Sequence, residues 1–240
     1  MTHRSLHLQN ESTDYAELFV DALREAGHEV DVLHPYDGQP IPDDLSGYSS
    51  LVCGGGLVDT HEADDNPWLH DEVRLIREAL RDRKPFMGLC LGAQLLTVAV
   101  GGEVYRCEPH EIGWTEVQLT PEADGDRLFD GLPQQLMAMQ WHFYACQMPA
   151  DDGGAELMRN EVCTQAMRVG DMAWGTQFHI EVTRRLLMTW LDMAPGELER
   201  QGYPPERWIS AMDEHLDAHM AVGRTLATRF AALASERDAA

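Results

Sequence analysis

Apolar and polar positions along this 240-residue chain follow two periods in turn. Ser5–Leu8 reads as a short strand, and Tyr15–Leu23 repeats its apolar residues at helical spacing before a glycine stop at Gly27. Glu29–Leu33 and Ser50–Cys53 return to the strand pattern, the second running into Gly54-Gly55-Gly56. Asn66-Pro67-Trp68 opens a helix that reaches about Leu80, with the proline near the first turn, where a missing N–H costs little. Lys84-Pro85-Phe86-Met87 is a fourth strand, and Ala93–Val100 a helix closed by Gly101-Gly102. Strands alternating with helices predict an α/β fold, a mostly parallel sheet with helices on both faces. The second half is richer in strands, at 115–119, 136–140, 155–158, 164–169 and, after a tight return, 172–178. From Pro205 to Leu233 the spacing is helical again. The pattern predicts one domain over 1–194 and a helical extension, 195–240, packed on it.

Apolar residues make up 44% of the chain, enough for a full core. No apolar run approaches the roughly 20 residues of a membrane span. Met1-Thr2-His3-Arg4 lacks the shape of a secretory leader, so a cytoplasmic protein with no membrane association is expected. With 41 acidic and 18 basic residues the formal charge is −23, which argues against nucleic-acid binding. Five cysteines without a C-x-x-C argue against a disulfide framework and against a thiolate zinc site. His215 and His219 stand four apart on the C-terminal helix with no third ligand in view, so a solvated helix face is expected and no metal. Cys53, Cys107, Cys146 and Cys163 are read as structural, and Trp190, Trp208 and the methionines of 188–220 as packing.

Gly88-Leu89-Cys90-Leu91-Gly92 changes this picture. A cysteine between two glycines, where an apolar strand turns into a helix, is held out of the sheet at the helix N-terminus. Flanking side chains would clash with neighbouring backbone, and the helix end favours a thiolate nucleophile. Downstream, Phe178-His179-Ile180-Glu181 places a base and a carboxylate two residues apart, on one side of an extended segment. The carboxylate there would fix the imidazole's tautomer and stabilise its charged form. Gly54-Gly55-Gly56 ends a neighbouring strand, so the amides of Gly55 and Leu91 together suit a developing oxyanion.

These segments resemble the class I (triad) glutamine amidotransferase family, and within it the free-standing members similar to the amidotransferase domain of GMP synthase. The resemblance spans about residues 5 to 190 and rests on Gly54-Gly55, Asn66-Pro67-Trp68, the Cys90 elbow through Gln94, and Gly101–Arg106. It continues through Glu111-Ile112-Gly113-Trp114, Gln140-Trp141-His142 and Trp174–Thr183. It implies a flavodoxin-like sheet and a cysteine amidohydrolase that needs no cofactor. Cys90 would attack a γ-glutamyl amide to give a γ-glutamyl thioester, with His179 as general base and acid and Glu181 orienting it. Gly55 and Leu91 would hold the oxyanion, and Gln94 and His142 would help bind the substrate. The partner is then a small γ-glutamyl molecule, or also a separate synthase that receives ammonia. A non-catalytic regulatory protein of the same fold is the third reading, and the intact Cys90, His179 and Glu181 argue against it. Gly56 and Ile180 stand where the family usually has proline. Phe143-Tyr144 replaces a usual Gly-Asp after His142. These aromatics are expected either to line the pocket, around the amine half of a γ-glutamyl conjugate, or to pack into the core.

Overall fold

A computed structural model describes residues 3–149 and 154–236; Met1, Thr2 and residues 237–240 of the expected extension lie outside the described residues. The strands are β1 (Arg4–Leu8), β2 (Glu29–Leu33), β3 (Ser50–Cys53), β4 (Phe86–Leu89), β5 (Glu103–Leu119), β6 (Gln135–Gln147), β7 (Ala155–Arg159), β8 (Thr164–Val169) and β9 (Ala173–Thr176). They form one sheet in the order β2-β1-β3-β4-β9-β8-β7-β5-β6. Between β2 and β9 every pairing is parallel, and from β9 outward every pairing is antiparallel. The predicted parallel sheet is thus the first half of a mixed one. The turn between β8 and β9, at Gly170, is too short for a crossover helix, so these strands can pair only antiparallel.

Among the described residues there are six α-helices: α1 (Glu17–Glu25), α2 (Trp68–Arg81), α3 (Leu91–Ala99), α4 (Arg184–Met193), α5 (Pro195–Arg200) and α6 (Pro205–Glu236). Period-two alternation divides the strand side chains between the two faces. Leu51, Cys53 and Phe86 pack with Leu69 and Ile76 of α2 and Leu95 of α3. Val52, Met87 and Leu89 face the opposite layer, where Phe19 of α1 meets Phe230 of α6 edge-on at 6.0 Å. A third cluster joins Trp114 and Met139 of the antiparallel half to Leu187, Trp190 and Trp208 of α4 and α6. No helix among the described residues is long and apolar enough to cross a membrane.

Strands β5 and β6 are much longer than the segments 115–119 and 136–140 that the alternation predicts. The extra length of β5 carries Arg106, Glu108, Pro109 and Glu111, whose polarity hides the pattern, and the register slips between Arg106 and Glu111. Backbone pairing with the 13-residue β6 maintains the strand there despite its composition. Phe143 and Tyr144 consequently lie in β6.

Candidate active site

The parallel strands β3, β4 and β9 deliver their carboxyl ends side by side, the usual place for a ligand in such a sheet. Each end carries one part of the site. At the end of β4, Cys90 takes φ 48° and ψ −99°, a strained conformation for a residue with a side chain, and it forms the N-cap of α3. Its N–H donates to the Thr176 carbonyl at 2.8 Å, pinning the elbow to β9. A Cβ at Gly88 would stand 2.5 Å from the Gly92 carbonyl, and one at Gly92 would stand 2.3 Å from the Cys53 carbonyl oxygen. The elbow closes only because both positions lack a side chain. Leu91, as first helical residue, has an amide with no intrahelical acceptor.

After β9 the chain leaves the sheet, and residues 180–181 make a turn rather than the expected extended segment. The turn still brings the predicted pair together, with His179 Nδ1 2.6 Å from Glu181 Oε1 and Glu181 fully buried. The His179 N–H donates to the Met139 carbonyl at 2.9 Å, fixing the turn to β6. On its other side the imidazole feels the charge of Cys90, whose thiol points to the Trp141 carbonyl oxygen at 3.9 Å and receives Gln177 Nε2 at 3.6 Å. Burial disfavours the imidazolium, but the charges of Glu181 and Cys90 outweigh it and hold the His179 pKa well above the ordinary value.

His219 is not on a solvated face. It is fully buried against Trp114, with Nε2 2.9 Å from the His179 carbonyl oxygen. Burial drives its pKa down to about 4, so the neutral ring donates Nε2–H and pegs the His179 backbone from α6. The mean apolar periodicity of α6 conceals this role, because a histidine counts as polar in the pattern.

At the end of β3 the expectation for Gly55 needs correction. Its N–H donates to Asp14 Oδ2 at 2.9 Å, so the amide is engaged by a carboxylate instead of standing open beside Leu91. Asp14 is buried, and its pKa rises to about 7, first through burial and then through the Glu181 charge, partly offset by His179 and the Ala16 amide. Beneath the same loop, Asn10 Nδ2 donates to the Gly54 carbonyl and to Glu72 Oε2, both at 3.2 Å. Burial lifts Glu72 to about 8. At Gly56, in the family's proline position, Leu91 Cδ2 fills the space a Cβ would take, 2.6 Å from it.

Two cavities flank Cys90. One, of about 140 Å³, runs along Gly56, Leu91, Gln94, Phe143 and Tyr144 and borders His142. The aromatics are therefore cavity residues, and they also pack: Phe143 on the His110 ring at 4.9 Å and Tyr144 on the His61 ring at 5.2 Å. The His142 imidazole is turned into the interior, with Nδ1 2.9 Å from the Tyr144 carbonyl oxygen and Nε2 3.3 Å from Glu111 Oε2. Burial opposes ionisation of Glu111, but His142, Asn160 and Thr115 overcome it and hold the carboxyl below the ordinary value. The second cavity, of about 110 Å³, opens on the His179 side and is walled by Trp141 and Trp190. Trp190, expected as packing, does both, with its ring edge-on to His179 at 4.9 Å.

Glu11, Asp14, Trp141, His219 and Glu72 were not among the residues predicted for the site. A signal existed for the first two: Glu11-Ser12-Thr13-Asp14 leaves the carboxyl end of β1, where ligands of parallel sheets gather. Among the described residues two buried groups have donor atoms close enough together to hold a metal, Asp14-His179-Glu181 and Glu111-His142-Cys163. In the first, an ion would take the imidazole away from Cys90. In the second, Cys163 is a poor thiolate ligand, since burial pushes its pKa far up. The other thiols, Cys53, Cys107 and Cys146, are likewise buried and raised, Cys107 to about 11 and Cys146 to about 12.

A cysteine on a strained strand-to-helix elbow, facing a buried histidine–carboxylate pair across a mixed α/β sheet, has the arrangement of a thiol hydrolase. The profile of the family "Glutamine amidotransferase class-I" matches residues 8–190, and the chain belongs to that family. A GMP synthase [glutamine-hydrolyzing] of Porphyromonas gingivalis is 27% identical over 208 residues, 83% of this chain and 38% of that protein. The chain thus spans about two fifths of the length of that relative. A putative glutamine amidotransferase-like protein of Salmonella typhimurium is 27% identical over 179 residues, 72% of this chain and 74% of that one. Among solved structures, a glutamine amidotransferase from Thermotoga maritima superposes with a TM-score of 0.83 at 29% identity, covering 96% of this chain and 99% of that one.

Proposed function

We propose that this protein is a cysteine amidohydrolase that cleaves the γ-amide of glutamine or of a γ-glutamyl-amine conjugate. The observation that carries the reading is the Cys90–His179–Glu181 alignment, with the 2.6 Å His179–Glu181 contact buried at the end of the elbow. In the proposed cycle the Cys90 thiolate attacks the γ-carbonyl carbon. The oxygen becomes an oxyanion beside the Leu91 amide, at the positive end of α3. His179, kept cationic by Glu181 and Cys90, gives its proton to the departing nitrogen as the C–N bond breaks. Water then attacks the γ-glutamyl thioester, passing a proton to His179, and glutamate leaves. Glu181 accepts from Nδ1–H throughout, so that Nε2 faces the reaction. Gly55 joins the oxyanion site once its amide is released by Asp14. Gln94, Phe143 and Tyr144 line the cavity assigned to the glutamyl half, and His142 braces that wall from within. No step needs a cofactor or a metal ion.

The test is glutamate release by the purified chain from glutamine and from γ-glutamyl amides. Turnover that disappears in Cys90→Ala, with the fold kept, supports the reading; turnover retained by that variant overturns it. A second reading, delivery of ammonia to a separate synthase, draws on the P. gingivalis relative, whose name joins glutamine hydrolysis to a synthase and whose length exceeds the matched region. Low activity alone and stimulation by a partner would favour it over a free-standing hydrolase.

A further inference from the structure

We infer that the cavity on the His179 side of Cys90 is a leaving-group site built for an amine with an apolar stem and a second positive charge. The inference rests on the amidohydrolase reading and narrows its substrate. Orientation follows from the chemistry. The general acid must reach the departing nitrogen, so the amine half of the substrate lies on the side that His179 lines. The glutamyl half then takes the other cavity, which Gln94 lines and His179 does not.

Size argues against ammonia as the intended leaving group. The His179-side cavity measures about 110 Å³, whereas a water-sized molecule such as ammonia needs roughly 10–15 Å³ of the same measure. The walls argue for an apolar stem. Trp141 and Trp190 meet edge-on at 5.4 Å, and at the rim Leu57 and Met193 are 81% and 52% exposed, apolar surface that a bound stem would cover. The acids argue for a cation. Glu11 and Asp14 line the cavity, and among the described residues lining it His179 is the single group able to carry positive charge. Glu11 Oε1 accepts from the Thr13 amide and hydroxyl, while Oε2 is buried with no partner. A buried carboxylate oxygen without a donor is costly, and a ligand ammonium would satisfy it, aided by the aromatic faces. An acidic amine would meet the unpartnered Glu11 oxygen, with Asp14 beside it, instead.

The experiment compares kcat/KM of the full chain for the γ-glutamyl amides of putrescine, n-butylamine and γ-aminobutyrate, and for glutamine. Putrescine and butylamine differ in the terminal charge at similar length. A charged hydrogen bond to Glu11 predicts preference for the putrescine amide over the butyl amide by about tenfold or more. The γ-aminobutyrate amide should be the poorest of the three conjugates, and glutamine poorer than the putrescine amide. Glu11→Gln should reduce kcat/KM for the putrescine amide about tenfold more than for the butyl amide. Trp190→Ala should reduce both relative to glutamine. Equal rates on the putrescine and butyl amides, or glutamine cleaved best, would overturn the leaving-group site and leave the hydrolase reading standing. Absence of glutamate release from all four would overturn both.

Discussion

Glu181→Gln isolates the contribution of the carboxylate to the histidine. The substitution keeps the shape of the side chain and a hydrogen-bond acceptor, but removes the negative charge 2.6 Å from His179 Nδ1. Glu181 is fully buried and His179 is 5% exposed, so solvent does little to screen the interaction. A charge-assisted hydrogen bond is worth about 1.5–3 kcal/mol, and each 1.36 kcal/mol is tenfold in rate, so kcat should fall about 10- to 150-fold. The pH profile carries a second, independent sign. Glu181 helps hold the His179 pKa above its ordinary value, so the wild-type imidazolium survives to higher pH. Without Glu181 that pKa drops, and the alkaline limb of the kcat profile should move to lower pH. Steady-state glutamate release across the pH range measures both effects, with circular dichroism to confirm the fold. An unchanged kcat together with an unmoved alkaline limb would refute the role assigned to Glu181.

Other consequences are as direct. Gly92→Ala forces a Cβ to within 2.3 Å of the Cys53 carbonyl oxygen, so thermal denaturation should show a loss of about 1–3 kcal/mol, with activity lost alongside. Glu72 has its pKa raised from 4.5 to about 8 in the fold, so the protonated acid is the stabilising form. Stability should therefore be full below about pH 4.5 with respect to this group and decline as pH rises towards 8; Glu72→Gln should flatten the decline in a Tm-versus-pH series. His219→Phe removes the peg on the His179 carbonyl, and kcat should fall about tenfold with KM little changed, from about 1–2 kcal/mol of lost hydrogen bonding. Phe143 and Tyr144 line the cavity assigned to the glutamyl half, so replacing them by Gly and Asp should change KM for glutamine and for γ-glutamyl amides together; an unaltered KM for both would leave them as packing residues.

Local signals carried much of the site. The glycines around Cys90 are legible because a strand-to-helix elbow tolerates no side chain on either flank, a constraint that any single sequence displays. The spacing of His179 and Glu181 was legible too, although a turn, not a strand, brings them together. Strands β1, β3 and β4 are legible as short, mostly apolar runs because both of their faces are buried. Longer-range features stayed hidden. The extra length of β5 is held by pairing with β6, so its charged residues gave no strand signal. Asp14 on Gly55, and His219 on His179, join residues 41 and 40 positions apart, and nothing in a local pattern records such a meeting. The Asp14 contact is the costliest omission, since it changes which amide stands ready for the oxyanion.

The central claim is a γ-glutamyl thioester on Cys90, and mass spectrometry of acid-quenched enzyme mixed with glutamine or a γ-glutamyl amide tests it most directly. The account predicts one γ-glutamyl adduct per chain, on the peptide containing Cys90, increased in Glu181→Gln if deacylation slows more than acylation, and absent from Cys90→Ala. An adduct on Cys53, Cys107, Cys146 or Cys163, or glutamate release by Cys90→Ala at the wild-type rate, would contradict it.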